Sequence, residues 1–270
     1  MSSVPVMILC GGQGTRLREE TEYRPKPMVE IGGRPILWHI MKTYGQHGHH
    51  RFVLCLGYKA HMIKRYFLDY QPINCDFTID IGGGESSGRV TLHDLQTATE
   101  HWKVTCADTG LNAMTGARVR KALKYVDSDV FCLTYGDGLA DVDIEALLAF
   151  HRSHGKVATL TAVQVGSRFG EVVIDDSGEV KRFAEKPISD GSWINGGFFV
   201  IDRKRIERYL PDGDDLIFER GPLEALAADG ELAAWRHHGF WQAMDTFREW
   251  QILEDLWTGG KAPWATWRRS

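Results

Sequence analysis

The sequence predicts an α/β fold built on a mainly parallel sheet. From the N-terminus onwards, short apolar runs typical of buried strands alternate with segments of helical periodicity. Parallel strands joined through helices need right-handed crossovers, which is the arrangement of layered α/β proteins. The chain has 270 residues, enough to bury a sizeable core, and a single domain is the simplest expectation for this length.

The first half of the chain carries the clearest alternation. Buried strands are predicted at residues 4–10 and 52–56, and amphipathic helices at residues 35–46 and 61–69. The same pattern then predicts short strands at residues 89–92 and 103–106, a helix at 115–125, a strand at 130–135, a helix at 143–154 and a strand at 157–165. Asp143 is the expected N-cap of the last of these helices.

The second half is richer in strands. Residues 170–175 and 180–185 flank an Asp-Ser-Gly turn and predict a hairpin. A strand at residues 194–201 follows, and then helices at 203–209, 216–228 and 246–257. The sequence shows no internal repeat or linker, so we expect one domain over residues 1–270, with a possible small helical appendage from about residue 246.

Composition narrows the class of protein. Hydrophobic residues make up 43% and charged residues 25% of the chain, which are ordinary values for a globular domain. The formal net charge of -4 argues against a general nucleic-acid binder, because such proteins need clustered Lys and Arg. Local basic groups remain compatible with a small anionic ligand.

The N-terminus and the cysteines indicate the cellular environment. The first ten residues lack the basic segment of a signal peptide, and no apolar stretch approaches the length of a membrane span. The cysteines show no C-x-x-C pair, and three of them lie in apolar runs: Cys10, Cys55 and Cys132. We therefore expect a reduced, cytoplasmic protein with no membrane or nucleic-acid partner and without a zinc site.

A glycine-rich loop follows the first predicted strand. Residues 10–16 read CGGQGTR, and three glycines within four positions let backbone N–H groups approach an anion closely. Arg16 adds a guanidinium suited to phosphate oxygens. The loop is not a Walker loop, and Leu17 stands where the dinucleotide fingerprint needs its last glycine. A plain strand-to-helix turn would use the same glycines.

Three further positions carry charge in a constrained setting. Lys26 lies between two prolines, which hold it in an extended segment, although most lone lysines are solvated. Asp137 follows a buried strand between two glycines, where α/β sheets place ligands, but Asp-Gly turns are common. Asp245 precedes a helix and could cap it, unless Thr246 caps the helix and leaves Asp245 to join Asp137 in a magnesium site.

The ordered set of motifs resembles the sugar-1-phosphate nucleotidyltransferases, and among them the cytidylyltransferases. The resemblance covers essentially the whole chain. It is carried by G-G-x-G-T-R at residues 11–16, P-K-P at 25–27, Y-G-D-G at 135–138, E-K-P at 185–187, N-G-G-F at 195–198 and M-D at 244–245. It implies a Rossmann-like nucleotidyltransferase core with a mixed, mainly parallel central sheet and flanking helices.

The resemblance also implies a reaction. The enzyme would transfer a cytidylyl group from CTP to α-D-glucose 1-phosphate, giving CDP-glucose and pyrophosphate, with Mg²⁺ as cofactor. By the same resemblance the protein would be a homo-oligomer, and the cytidylyltransferases imply a hexamer. Alternatives left open are a UTP- or dTTP-dependent hexose-1-phosphate nucleotidyltransferase and a non-catalytic nucleotide-sensing subunit. A dehydrogenase is weaker still, because the dinucleotide fingerprint fails.

Site residues follow from the resemblance, position by position. The residues implied to bind the nucleotide are Cys10, Gly11, Gly12, Gln13, Gly14, Thr15, Arg16, Lys26, Ala113, Arg118 and Gly136. Those implied to bind the sugar phosphate are Gly170, Glu185, Lys186, Asn195 and Gly196. Catalysis would rest on Arg16, Lys26, Asp137 and Lys186, and the metal on Asp137 and Asp245. Ala113 departs from the hydroxyl residue usual in the family, which weakens the assignment of the base.

Two other groups of residues have simpler interpretations. His47, His49 and His50 follow a helix, and we expect them to lie in a solvated loop rather than to bind a metal. Several tryptophans fall in the last thirty or so residues. We expect them to pack the C-terminal helices or a subunit interface.

Overall fold

The computed structural model describes residues 3–14, 17–83, 88–93, 100–165, 171–174, 177, 179–184 and 193–268. Within these ranges the strands are β1 (Val6–Leu9), β2 (Glu30–Ile31), β3 (Arg34–Pro35), β4 (Arg51–Leu56), β5 (Phe77–Ile79), β6 (Val90–Leu92), β7 (Lys103–Asp108), β8 (Val130–Tyr135), β9 (Gly138–Ala140), β10 (Ala158–Val163), β11 (Glu171–Ile174), β12 (Val180–Ala184), β13 (Ile194–Asp202), β14 (Leu232–His237) and β15 (Trp241–Ala243).

The α-helices in the same ranges are α1 (Arg18–Thr21), α2 (Ile36–Gly45), α3 (Ala60–Leu68), α4 (Tyr70–Asn74), α5 (Thr115–Ala122), α6 (Ile144–His154), α7 (Pro222–Ala228) and α8 (Phe247–Thr258). Short 3₁₀ helices cover Lys26–Met28, Leu123–Tyr125, Arg205–Tyr209 and Thr266–Arg268. Among the described residues, no helix is long and apolar enough to cross a lipid bilayer.

Seven strands form the central sheet, in the order β14-β10-β13-β8-β1-β4-β7. Strand β1 is parallel to β4 and to β8, and β4 is parallel to β7. Strand β13 is antiparallel to both β8 and β10, whereas β14 is parallel to β10. The predicted mixed, mainly parallel sheet with flanking helices is therefore confirmed.

Both faces of the sheet are covered. Val6 and Ile8 in β1 face one core, which includes residues of α2, α6 and α8, and Met7 faces a second core on the side of α5 and α7. All three side chains are fully buried. Such two-sided burial explains why the strand reads as a continuous apolar run rather than an alternating one.

Several element boundaries agree with the sequence-based predictions. Strand β8 has the predicted bounds, and Asp143 caps α6 by accepting a hydrogen bond from the backbone N–H of Ala146 at 2.9 Å. Strands β11 and β12 pair antiparallel as predicted, although residues 170, 175, 176, 178 and 185 of that prediction lie outside the described residues.

Two predicted helices are shorter, and one strand of the central sheet was missed. The helix predicted at residues 216–228 begins only at Pro222, because the Leu216 carbonyl accepts the N–H groups of Gly116 and Ala117, and the N–H of Phe218 donates to Thr115 Oγ1. The helix predicted at 203–209 is a 3₁₀ helix from Arg205. Edge strand β14 was not predicted, since its half-exposed residues do not form a clear apolar run.

The C-terminal segment packs onto the main core. Trp264 is fully buried and donates its indole N–H to Nδ1 of His39 in α2 at 3.3 Å. Trp257 of α8 contacts the same imidazole edge-on, with ring centroids 4.4 Å apart. A methyl group at Gly32, whose φ is 59°, would overlap the Trp257 indole. These tryptophans therefore fill the interior of their own chain.

The prediction for the histidines after α2 is wrong for His49. Its side chain is 3% exposed, and its Nδ1 accepts the backbone N–H of Val4 at 3.1 Å. Its Nε2 lies 3.2 Å from a carboxylate oxygen of Glu145 in α6. The imidazole thus ties the start of β1 to a flanking helix, whereas His50 is exposed as expected.

Candidate active site

A cleft of about 820 Å³ opens where the chain leaves the central strands. The carboxyl ends of β1 and β8 and the first residues of β13 border it. Strand β1 has a parallel neighbour on each side, β4 and β8. Open α/β sheets bind ligands at the carboxyl ends of such strands. The cleft also brings together residues from both halves of the sequence.

Lys26 lies at the floor of this cleft. The predicted extended segment is wrong at this residue: Pro25 is extended, but Lys26 begins a 3₁₀ helix that runs to Met28. The lysine is only 8% exposed. Its Nζ donates to Asp137 Oδ2 and to Asp245 Oδ1, each at 2.6 Å. Burial lowers the pKa of the ammonium, but the two carboxylates outweigh that effect and raise its pKa above the ordinary value. Lys26 is therefore a fixed cation between two anions.

A small antiparallel ladder brings the two carboxylates together. Strands β9 and β15 pair, and the ladder continues with the N–H of Met244 donating to the carbonyl of Asp137 at 2.8 Å. Thr246 caps α8, and the carboxylate of Glu249 accepts the N–H groups of Asp245 and Thr246 at 2.8 and 2.9 Å. Because Thr246 is the cap, the Asp245 carboxylate is turned toward Lys26.

The paired carboxylates fit a divalent cation. An oxygen of Asp137 and one of Asp245 lie at the same distance from a single nitrogen, so one positive ion can contact both. Among the described residues there is no cluster of three His, Cys, Asp or Glu side chains that could hold a metal. A cation here would take its other ligands from phosphates and water, as Mg²⁺ does in nucleotide sites.

The glycine-rich loop forms one wall. Gly11, Gly12, Gln13 and Gly14 line the cleft, and Gly14 has a φ of 63°, which favours glycine. Thr15 and Arg16 lie outside the described residues. Cys10 is buried at the start of the loop, where burial raises the pKa of its thiol. Gly136 packs closely against β1, since a methyl group at this position would lie 2.9 Å from the Leu9 carbonyl oxygen.

Arg118 supports the loop from below. It comes from α5, is 4% exposed, and borders the cleft together with buried Ala113. Its Nη1 donates to the carbonyl oxygens of Leu56 and Gly110 and to Thr109 Oγ1, at 3.1, 2.8 and 2.8 Å. Its Nη2 donates to the carbonyls of Gly11 and Leu111 at 3.0 and 3.2 Å. The guanidinium thus joins the loops that follow β1, β4 and β7.

The opposite wall contains the described part of the predicted sugar-phosphate site. Asn195 and Gly196 at the start of β13 line the cleft, and the Asn195 amide oxygen accepts the N–H of Gly197 at 2.8 Å. Trp241 donates its indole N–H to the Gly196 carbonyl at 2.7 Å. Gly170, Glu185 and Lys186 lie outside the described residues.

Sequence reasoning missed several residues of this region, among them Tyr135, Trp241 and Glu219. Tyr135 and Trp241 line the cleft; Tyr135 belongs to the recognised Y-G-D-G motif and Trp241 stands three residues before M-D, so their positions were an available signal. Glu219 contacts Tyr135 and Thr115 through its carboxylate. Glu219 stands in a segment without any recognisable motif, so only the fold reveals it.

Comparisons with known proteins agree with this geometry. The family model described as Nucleotidyl transferase matches residues 5–216. Glucose-1-phosphate cytidylyltransferase of Salmonella typhi is 50% identical over 262 residues, covering 97% of this chain and 98% of the relative. A probable glucose-1-phosphate cytidylyltransferase of Bacillus subtilis is 44% identical over 261 residues, covering 97% of this chain and 99% of that protein.

Solved structures share the fold at low sequence identity. The structure of apo-UDP-glucose pyrophosphorylase superposes with a TM-score of 0.67 and 14% identity, covering 96% of this chain and 100% of that one. HddC from Yersinia pseudotuberculosis complexed with GMP-PN gives a TM-score of 0.62 and 24% identity, covering 94% of this chain and 99% of that one. With the family model and the full-length relatives, these findings show that the chain belongs to the nucleotidyl transferase family.

Proposed function

We propose that this enzyme transfers a cytidylyl group from CTP to α-D-glucose 1-phosphate, giving CDP-glucose and pyrophosphate. The observation that carries the proposal is the convergence of Lys26, Asp137 and Asp245 at the floor of one cleft with two walls. The two relatives that match over almost their full length are named for this substrate and this nucleotide. Their names support both halves of the proposal.

The chemistry explains why this site needs no nucleophilic side chain. A phosphate oxygen of the sugar phosphate is already ionised at pH 7, and it attacks the α-phosphorus of CTP while pyrophosphate leaves. The obstacle is the repulsion between two polyanions. Lys26 offsets that charge at the reaction centre, and the two walls hold the partners for in-line attack. We propose that Arg16 and Lys186 add the remaining cationic groups.

We propose Mg²⁺ as the cofactor, held by the oxygens of Asp137 and Asp245. When bound, it supplies charge neutralisation to the phosphates. The ammonium of Lys26 contacts the same two oxygens, so a metal held there would compete with it for them, and the ammonium would then be available to a phosphate. The loop at residues 11–14 then places backbone N–H groups along the triphosphate.

Each wall would bind one substrate. We assign the nucleotide to the side of Gly11–Gly14 and Arg118, where exposed Leu111 and Met114 flank buried Ala113 and offer apolar surface to a base. We assign the sugar phosphate to the side of Asn195 and Gly196, where an amide can meet sugar hydroxyls. Glu185 and Lys186 belong to the same proposed half-site.

The test is pyrophosphate release from glucose 1-phosphate and Mg²⁺ with CTP, UTP, dTTP, ATP and GTP in separate reactions. We expect release with CTP at a kcat/KM at least about tenfold above that with UTP or dTTP, on the scale of one lost base contact. Release with none of the five would refute the enzymatic proposal. A preference for UTP or dTTP would refute the cytidylyl assignment alone.

We further propose a cytoplasmic homo-oligomer. All five cysteines are free, as expected in a reducing compartment. Trp257 and Trp264 are buried inside the chain, so these two tryptophans do not support an interface. Exposed apolar side chains are instead concentrated in residues 68–90, including Leu68, Ile73 and Ile81 at 79, 63 and 84% exposure. Light scattering that finds only a monomer at micromolar concentration would exclude the assembly.

A further inference from the structure

A hydrogen-bonded chain runs behind the cleft from one wall to the other. Tyr135, at the end of β8, donates its hydroxyl proton to Oε1 of Glu219 and accepts Nδ2 of Asn195 at 3.4 Å. The other oxygen of Glu219 accepts the hydroxyl of Thr115 at 2.7 Å. Thr115 begins α5 on the nucleotide side, so this one carboxylate connects both half-sites.

The direction of every hydrogen bond in this chain is set by Glu219. An ionised carboxylate can only accept, so both hydroxyls must donate to it. The Tyr135 hydroxyl therefore gives its proton to Oε1 of Glu219. Because that proton is given to Glu219, the phenol oxygen is left to accept. The nitrogen of the Asn195 amide therefore faces Tyr135.

A second contact fixes the same orientation of the Asn195 amide. Its amide oxygen accepts the N–H of Gly197 at 2.8 Å, which agrees with the nitrogen pointing to Tyr135. Gly197 has a φ of 79°, and its backbone lies directly on the Tyr135 ring, where a methyl group would overlap the ring. The ring also packs edge-on against Phe199, with centroids 6.1 Å apart. Within the part of the chain that the structure describes, the second N–H of this amide has no hydrogen-bond acceptor, so it can donate to a ligand.

We propose that Glu219 is a positioning residue that orients Asn195 as a hydrogen-bond donor to the hydroxyls of the sugar phosphate, acting through the hydroxyl of Tyr135. Glu219 is not among the described residues that line the cleft, whereas Tyr135 and Asn195 are. Its influence on the substrate is therefore indirect. The inference rests on the proposed function, because it assigns the sugar phosphate to the Asn195 wall.

Replacing Glu219 with Gln tests the direction of the chain while keeping its shape. Thr115 already accepts the N–H of Phe218 at 2.9 Å, so its proton needs an acceptor and takes the single oxygen of Gln. The new amide N–H₂ then faces Tyr135. The phenol must accept from it and donate toward Asn195, which opposes the native orientation of the Asn195 amide.

The measurement is steady-state kinetics of Glu219→Gln with each substrate varied in turn. We expect the KM for glucose 1-phosphate to rise about five- to tenfold, the scale of one hydrogen bond, and the KM for CTP to stay within about twofold. Glu224→Gln is the matched control, an exposed carboxylate five positions on, and should leave both KM values unchanged. A merely structural loss would change both KM values together.

Tyr135→Phe provides the second arm, because the ring stays in place beneath Gly197 and only the hydroxyl is lost. We expect it to raise the KM for glucose 1-phosphate as well. The double variant should be no worse than Tyr135→Phe alone, since both changes act through one hydroxyl. Additive effects in the double variant would overturn the inference. If Glu219→Gln fails to fold, an unchanged KM for glucose 1-phosphate in Tyr135→Phe overturns it.

The two proposals fail differently. A wild-type enzyme that releases no pyrophosphate from CTP and glucose 1-phosphate refutes the proposed function, and this inference falls with it. An active wild type with an unchanged KM for glucose 1-phosphate in Glu219→Gln refutes the inference alone.

Discussion

The charge inside the cleft is set by a few residues and cannot be inferred from the net charge of the chain. The chain is acidic overall, with a formal charge of -4. Lys26 nevertheless places a buried ammonium 2.6 Å from one oxygen of each of two carboxylates. Removing one partner of such a group leaves the other charge poorly compensated. The three residues must therefore be treated as one electrostatic unit.

The first prediction concerns one of these carboxylates. We expect Asp137→Asn to lower kcat at least about a hundredfold, because the amide removes a charge that the cation and Lys26 both use. Pyrophosphate release at saturating substrates measures the effect. Asp127→Asn is the matched control, since Asp127 is exposed and pairs with Arg51 at the surface. Near-normal turnover of Asp137→Asn would remove it from the proposed metal site.

At this scale the sequence was informative where a motif constrains a residue. Lys26 and Asp137 could be predicted as site residues from their prolines and glycines, and they do meet in one cleft. For Asp245 the sequence left two roles open, helix capping and metal binding, because either Asp245 or Thr246 could accept the N-terminal N–H groups of α8. Only the β9–β15 ladder brings Asp245 beside Asp137. Glu219 acts through contacts distant in sequence, so no local pattern indicates it.

The loop after β1 shows how an element depends on a side chain from elsewhere. Arg118 fills the space beside Gly11 and donates to its carbonyl at 3.0 Å. The guanidinium cannot move aside easily, because it also donates to Leu56, Thr109, Gly110 and Leu111. Burial lowers the pKa of Arg118 from its ordinary value. Gly11 is therefore required for packing, in addition to its proposed role in binding the nucleotide.

The second prediction compares two adjacent glycines in that loop. We expect Gly11→Ala to lower the free energy of unfolding by about 1–3 kcal/mol, because the methyl group overlaps the hydrogen-bonded guanidinium. Gly12→Ala is the matched control, since nothing lies within 4 Å of its added methyl group. Its effect on unfolding should stay within about 0.5 kcal/mol. Equal losses in urea denaturation of the two variants would contradict this account.

Helices and strands were predictable where their residues are fully buried, and less so where tertiary hydrogen bonds compete with those of the local helix. Strand β8 is apolar on both faces and was predicted with its bounds. Residues 216–221 have helix-forming composition, yet the carbonyl of Leu216 accepts the N–H groups of Gly116 and Ala117 at the start of α5. A segment that caps another helix cannot also continue its own. Tertiary structure therefore overrides local propensity there.

Across the whole molecule, His39 connects the first half of the chain to its end. The imidazole is fully buried, donates from Nε2 to the Ile31 carbonyl at 2.9 Å, and accepts the indole of Trp264 at Nδ1. The neutral imidazole therefore uses both ring nitrogens in hydrogen bonds, one as a donor and the other as an acceptor. Burial lowers the pKa of His39 to about 4, and that of His151 to about 4 as well.

The third prediction is a loss of stability in acid. An unfolded histidine takes up a proton near pH 6.5, whereas folded His39 does so only near pH 4. The unfolded state therefore binds more protons in this window, and stability is complete above pH 6.5 and falls as the pH decreases toward 4. Between pH 7.5 and 5.0 the loss from His39 is about 2 kcal/mol, because each pH unit below the unfolded pKa costs about 1.4 kcal/mol. Urea denaturation at pH 7.5 and 5.0 measures it.

Substitution separates His39 from other acid effects. His39→Gln removes the titrating imidazole, so we expect a smaller difference in unfolding free energy between pH 7.5 and 5.0 than in the wild type. His238→Gln is the control, because His238 is exposed. An unchanged difference in His39→Gln would show that other groups dominate acid unfolding.

The ladder between β9 and β15 has a consequence for synthesis of the chain. Asp137 is translated with the central sheet, but its partner Asp245 comes from the last tenth of the sequence. A nascent chain still on the ribosome can thus build the strands and glycine-rich loop while its proposed catalytic centre lacks one carboxylate. Chains that terminate early, before residue 245, would carry the nucleotide wall without a completed centre. Activity would therefore report that translation has passed residue 245.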